Sequence, residues 1–401
     1  MTEVRPLRAY SEVDLGRQRS PQHEVGPHML PYLRAANVKD GVLDLDDVKV
    51  MNFSPSEQAI FSLRRGDVLV SEGSGSLSSV GASAVWWGEI QGQVCFQNTL
   101  LRLRPRPRTD PRFLAWWCRY AFASGIFASV ATGANIFHLS ADRVRALPMT
   151  YLPLPKQRAI ADFLDAETSR IDALIARKLE LADLLERRWD IHVRGVVLRS
   201  GWPLVALRRL ATVTDCKHRT PRYAQVGFPV VSPGDVTPGR LDLGRCHRAV
   251  DEADFVDLTE GGRRPLAGDI VYSRNASIGI AAYVDTDEPF TMGQDVCLIR
   301  SQTVAQLWLT YVLNSVGVDQ LEEMKIGSTL ERVNIAQLVD LRIPVPPADI
   351  QRAEAERLDA ERCRLDSLHA TLRSQMALLQ ERRQALITAA VTGELDLAEA
   401  G

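Results

Sequence analysis

The sequence predicts an α+β molecule with two mixed α/β domains in tandem, each followed by a long helix. The two helices are expected to pair as an antiparallel coiled coil, giving a pseudo-twofold chain. Three observations predict this. First, a motif is written twice: Leu164-Asp165-Ala166-Glu167 returns as Leu358-Asp359-Ala360-Glu361, and Ile171-Asp172 as Leu365-Asp366, both at an offset of 194 residues. A unit that recurs once at half the chain length implies duplicated architecture. Second, each copy is entered through prolines, Leu152-Pro153-Leu154-Pro155 and Ile343-Pro344-Val345-Pro346-Pro347, which stop any helix upstream. Third, each copy carries a long apolar stripe and ends near a Leu-Leu…Glu-Arg-Arg run, Leu184–Arg188 and Leu378–Arg383.

Taken in order, residues 1–152 form the first mixed domain. Turn signals at Lys39-Asp40-Gly41 and Arg65-Gly66-Asp67 bracket short strands, of which Val68-Leu69-Val70 is the clearest. Val94 to Leu103 is a further strand candidate. Thr109-Asp110-Pro111 is a helix start, so Phe113 to Phe122 is read as an aromatic-rich helix. The first spacer helix occupies 153–200, with Ile160, Leu164, Ile171, Leu174, Leu181 and Leu185 as its seam. Residues 201–347 repeat the mixed layout: Gly268-Asp269-Ile270-Val271-Tyr272-Ser273 echoes Gly66-Asp67-Val68-Leu69-Val70-Ser71, and a helix is expected near Val304–Val312. The second spacer helix and tail occupy 348–401, with Leu358, Leu365, Leu368, Leu372 and Leu379 as seam and Gly393 as a stop. At 1.5 Å per residue each helix is roughly 60 Å long. Paired antiparallel, such helices would hold two domains at opposite ends, more than one duplex turn apart. Pairing between two chains is the alternative that periodicity leaves open.

Composition bounds the function. Lys and Arg total 48 against 50 Asp and Glu, a net charge of −2, which excludes a generic polycation. Residues 1–150 carry 17 Lys/Arg against 14 Asp/Glu, hence +3, and the second mixed region has no such excess. A nucleic-acid binder this neutral is expected to bind weakly alone and to need partner subunits. No apolar run is long enough to span a bilayer, and Met1 to Tyr10 is no signal peptide. Six cysteines (95, 118, 216, 246, 297 and 363) occur without a Cys-x-x-Cys, as expected of reduced thiols in the cytoplasm. Cys216, His218, Cys246 and His247 fit no common zinc-finger spacing, so no metal is assigned.

Catalytic motifs are missing. There is no Gly-x-x-x-x-Gly-Lys-Ser/Thr phosphate loop and no Asn-Pro-Pro-aromatic or Asp-Pro-Pro-Tyr run of amino-methyltransferases. Glu323-Met324-Lys325 matches only the tail of a nuclease motif, and Ser71–Ser76 is no dinucleotide fingerprint. Base readout needs forked donors and small polar groups on protruding loops. The candidates are Ser71, Gly73 and Ser74; Asn135 and His138; Lys217, Arg219 and Thr220; Ser273, Arg274 and Asn275; and Lys325 and Ser328. Arg102 and Arg104, on one face of an extended run, are candidates for phosphate contact, or else belong to a connection between strand and helix. The aromatics Trp86, Trp87, Phe113, Trp116 and Trp117 read better as core than as stacking platforms.

The order of mixed domain, proline entry, Gln157-Arg158, Ile/Leu-Asp-x-Leu helix and Leu-Leu-(x)-Glu-Arg-Arg run, followed by the whole again, resembles the specificity subunit of type I restriction–modification enzymes. The resemblance spans almost the full chain and is sharpest over 152–175 and 343–386. It implies that the mixed domains are target-recognition domains, each reading one half of a bipartite, asymmetric DNA sequence. It implies that the helices set the gap and dock two methyltransferase subunits, later joined by ATP-dependent restriction subunits. The chain itself would hold no cofactor and perform no chemistry. S-adenosylmethionine, ATP and Mg would belong to the partners, and adenine would be the base methylated. The same role in a system without the motor is a close variant. A coiled-coil scaffold that reads no DNA is the rival reading.

Overall fold

The computed structural model describes residues 3–20, 24–199, 201–275, 278–325 and 332–395. The chain divides into two compact units, residues 1–177 with 374–401, and residues 178–373. Each holds one head, the first half of the helix that follows it and the last half of the other helix.

In the first head, four antiparallel strands lie in the order Ser11–Leu15, Leu100–Pro105, Asp67–Ser71, Ser83–Trp86. The second head repeats this order as Ala211–Asp215, Val296–Ser301, Ile270–Ser273, Ala281–Tyr283, and adds Gly239–Arg240 parallel to the last. Asp67–Ser71 is buried along its whole length, which explains its unbroken apolar run. A smaller sheet in each head contains one parallel pair, Cys95–Phe96 with Met29–Leu33 and Thr291–Met292 with Phe228–Val231. The expected strand over Val94 to Leu103 is therefore two strands serving two sheets. The strands that open and close each head pair with each other: Val4–Pro6 with Pro148–Thr150, and Leu204–Ala206 with Arg342–Pro344.

The aromatic helix, Pro111–Ala123, starts where its sequence says. Pro111 stands at the first turn and the Asp110 carboxylate accepts from the backbone N–H of Arg112 and Phe113. Phe113, Trp116 and Trp117 pack in the core, Trp117 edge-on to Phe127 at 6.1 Å. In the second head Trp308 is fully buried against Trp202.

The long helices run Leu154–Val197 and Ala348–Thr392, and the second ends at Gly393 with φ 82°. A buried glutamine ties each helix start to its head. Gln157 accepts from the Asp110 N–H and donates to the carbonyls of Arg108 and Leu152. Gln351 accepts from the Ala305 N–H and donates to the Pro346 carbonyl. These are the glutamines that follow the proline motifs.

Within each unit the helix segments pair antiparallel. In the first, Asp172 meets Arg383 at 3.1 Å, and Ile160, Ala161 and Leu164 share a core with Ile387, Ala390 and Val391. In the second, Glu186 meets Arg362 and His369, His192 meets Glu361, and Arg199 meets Glu354, the numbers falling on one helix as they rise on the other. The intramolecular pairing expected from periodicity is present. Its seam differs in part from the apolar stripe. Ile160, Leu164, Ile171, Leu358 and Leu372 are buried, and Leu185, Leu365 and Leu379 are half-buried. Leu174, Leu181 and Leu368 are 40–44% exposed and lie beside the seam. The four-three alternation passes instead through Thr168, Ile175, Lys178, Ala182 and Trp189, and through Arg362, His369, Met376 and Arg383, none of them exposed. Thr168, Lys178, Ala182, Arg362, His369 and Arg383 give these slots no apolar signal, and Ile175, Trp189 and Met376 lie outside the leucine period.

Candidate nucleic-acid interface

Each central strand leaves its sheet at a serine, and the two heads then build the same loop. Ser71 N–H donates to Ala82 and its carbonyl accepts from Gly81. Ser273 does the same with Ile280 and Gly279. The serine hydroxyl turns back to the carbonyl two residues on, that of Gly73 at 3.5 Å and that of Asn275 at 2.9 Å. A distant segment then pairs with the loop. Leu139 N–H donates to the Glu72 carbonyl and Val333 N–H to the Arg274 carbonyl, each at 2.8 Å. Gly73–Ser74 lies against Phe137–His138, and Asn275 bridges Arg332. Thus the Ser71–Ser76 and Thr132–His138 loops, separate in sequence, form one edge, on which Asn135 and His138 are exposed. Ser71 and Ser273 are themselves buried and shape the loop.

Side chains on this edge are held in place. His138 Nδ1 lies 3.1 Å from the Glu72 carboxylate. In the second head, Asp295 pairs with Arg332 at 2.7 Å and accepts from Asn275 Nδ2 at 3.1 Å. Asp295 has φ 64°, a left-handed conformation that a non-glycine residue adopts at a cost. Arg274 is 3% exposed and paired with Asp215, which takes it off the accessible surface. Lys325 ends the helix Val318–Lys325, and Ser328 lies outside the described residues.

A second cluster follows the first strand of the second sheet. Lys217 binds Asp257 and Glu260, and Arg219 binds Asp254 and Asp257, all on or just after the short helix Glu252–Thr259. Thr220 accepts from Gln294. These hydrogen bonds hold the Asp254 and Asp257 carboxyls below their usual range. The first head contains the counterpart: Arg17 donates to Glu57 at 2.6 Å and to the Asn52 carbonyl. Arg17-Gln18-Arg19-Ser20 therefore matches Lys217-His218-Arg219-Thr220, a likeness visible at an offset of 200 residues. Asp215, Cys216 and His218 bring three donor atoms within 4.8 Å of one another. The Asp215 carboxylate already serves Arg274 and His218, and burial pushes the Cys216 thiol up, which disfavours the thiolate. Cys246 and His247 are not part of this cluster.

Arg102 and Arg104 sit inside the fold. Arg102 is 4% exposed and donates to Asp14 and to the carbonyls of Ile60 and Ser62. Arg104 forks onto Asp67, as Arg300 forks onto Asp269 in the second head. Alternation did place both arginines on one face, but that face is lined with carboxylates and carbonyls. Their role is to tie strands together.

The family described as "Type I restriction modification DNA specificity domain" matches residues 217–374, which include the second edge and the start of the second long helix. Two curated relatives extend the likeness to the first head. The StySPI specificity subunit of Salmonella potsdam is 27% identical over 91% of this chain and 82% of its own. The EcoKI specificity subunit of Escherichia coli K12 is 21% identical over the same shares. Over nine-tenths of its length the chain is similar to type I restriction enzyme specificity subunits. Its fold is shared by solved chains of this group. One, from a study of assembly and conformational transition of the type I R-M system, superposes with a TM-score of 0.76 at 18% identity, covering 98% of both chains. The HsdS subunit from Thermoanaerobacter tengcongensis gives 0.56 at 17%, covering 98% of this chain and 97% of its own. Among the described residues no helix is long and apolar enough to cross a membrane.

Proposed function

We propose that this chain is a DNA specificity subunit that reads a bipartite, asymmetric DNA target, one half-site per head, and that its paired helices set the gap and dock two methyltransferase subunits. The observation that carries this reading is duplication down to single hydrogen bonds: the serine turn, the paired loop and the glutamine anchor each occur once per head. Docking on the helices is supported by an apolar stripe on the central helix away from the seam. Leu184 and Ile191, seven apart on the helix, and Leu198, in the turn just after its end, are 53, 72 and 55% exposed, which suits an interaction surface. In this reading the chain supplies no chemistry. Methyl transfer to adenine would draw on S-adenosylmethionine held by the partners, and restriction subunits using ATP and Mg would join the same cytoplasmic complex.

Replacing residues 1–152 by the corresponding head of another specificity subunit tests the division of labour. The chimera, assembled with methyltransferase partners, is expected to change the letters of one half of the methylated motif and keep the other. A chimera that methylates DNA with both halves changed, or with neither, overturns the proposal.

A further inference from the structure

The geometry points to the paired-loop edge as the place where base identity is read, with different chemistry in each head: Arg332 reads guanine in one half-site, and His138 reads a base amino group in the other. The inference rests on the two-half-site reading above and deepens it. The loop scaffold is the same in both heads, as the bonds of Ser71 and Ser273, Gly81 and Gly279, and Leu139 and Val333 show. The side chains it displays are not the same. His138 stands where Arg332 stands, Gly73 where Asn275 stands, and Glu72 where Arg274 stands. A frame kept constant under side chains that diverge is what two readers of different letters require.

Both exposed groups are also braced. Arg332 is 44% exposed, yet Asp295 holds it and Asn275 together. A guanidinium fixed by a carboxylate keeps further N–H donors for a ligand, and their fork matches the O6 and N7 acceptors of guanine in the major groove. His138 is 53% exposed and is held through Nδ1 by Glu72. The tautomer that donates from Nδ1 leaves Nε2 an acceptor, suited to the amino group of cytosine or adenine. Bracing of this kind lowers the ordering cost at binding.

The test uses the complete methyltransferase complex, with methylated motifs read by sequencing and binding measured on the target duplex. Arg332→Ala is expected to relax a guanine position in the second head's half-site, with discrimination there falling about 5- to 150-fold. His138→Ala is expected to relax one position in the first head's half-site only. Replacing the contacted guanine by 7-deazaguanine should weaken the wild type and leave Arg332→Ala unaffected. If Arg332→Ala fails to fold, Arg332→Lys keeps the charge, loses the fork and is expected to relax the same position. Variants that fold and retain every letter of the motif overturn this inference. If the head exchange still moves one half-site, the two-half-site reading survives that result. A wild-type complex without any sequence-specific methylation overturns the reading itself.

Discussion

Replacement of Arg102 by methionine separates the two roles that a basic run in the sequence leaves open. The substitution keeps the aliphatic stem and removes the guanidinium. Three hydrogen bonds are lost, to Asp14, the Ile60 carbonyl and the Ser62 carbonyl. They are not equal in consequence. Asp14 is 39% exposed, so water rehydrates it and the lost pair costs about 1 kcal/mol or less. Ser62 keeps its bond from Arg104. The Ile60 carbonyl loses the Arg102 donor, at about 1–3 kcal/mol if nothing replaces it. The total, about 1–4 kcal/mol, should lower the melting temperature of the unit by about 2–16 °C at 2–4 °C per kcal/mol. Thermal unfolding of the purified chain measures this. Binding of the assembled complex to its target across salt concentrations measures the other role. A lost phosphate contact lowers the slope of log K against log salt by about 0.9. A lower melting temperature and an unchanged slope are expected. An unchanged melting temperature with a slope reduced by about one would refute the internal role of Arg102.

Three further outcomes follow from the same contacts. Leu372→Ala, on the seam and 5% exposed, should cost about 2–4 kcal/mol in denaturant unfolding, whereas Leu174→Ala and Leu368→Ala should stay within about 0.5 kcal/mol; equal effects at all three would contradict the seam. Leu184→Glu with Ile191→Glu should abolish co-purification of the methyltransferase while leaving unfolding of the chain unchanged, and retained assembly counts against docking on that stripe. The depressed carboxyls of Asp254 and Asp257 stabilise the Lys217–Arg222 segment at pH above the unfolded value near 4, and this contribution is lost as pH falls through their lower folded values. Hydrogen exchange at the Arg222 amide, which donates to Asp254, should lose protection below about pH 4, and constant protection down to pH 2 would show that the pairs do not anchor the segment.

The large features were legible because they rest on local chemistry. Prolines, the Asp110 cap and the leucine period place the helices to within a few residues. The internal repeat exposed the duplication. The loops that form the edge were recognised separately, by glycine and polar content. Their pairing was not visible, since it depends on contacts such as Leu139 to Glu72 that no periodicity encodes. Glu72, Asp295 and Arg332 were missed for the same reason: each acts through a neighbour distant in sequence. The seam error has a different origin. Arg362 and His369 occupy seam slots because Glu186 satisfies them across the pair, and composition alone assigns such residues to the surface. Arginine at 102 and 104 misled in the same direction, toward solvent, when carboxylates waited inside.

Shortening both long helices by one heptad, with the heads untouched, tests the central claim most directly. Seven residues remove about 10 Å of helix, equal to about three base pairs at roughly 3.4 Å each, and preserve the seam. Sequencing of methylated DNA from cells carrying the shortened subunit and its methyltransferase partners should show both half-sites with their original letters and a gap about three base pairs shorter. An unchanged gap, or altered letters in either half, would contradict the account.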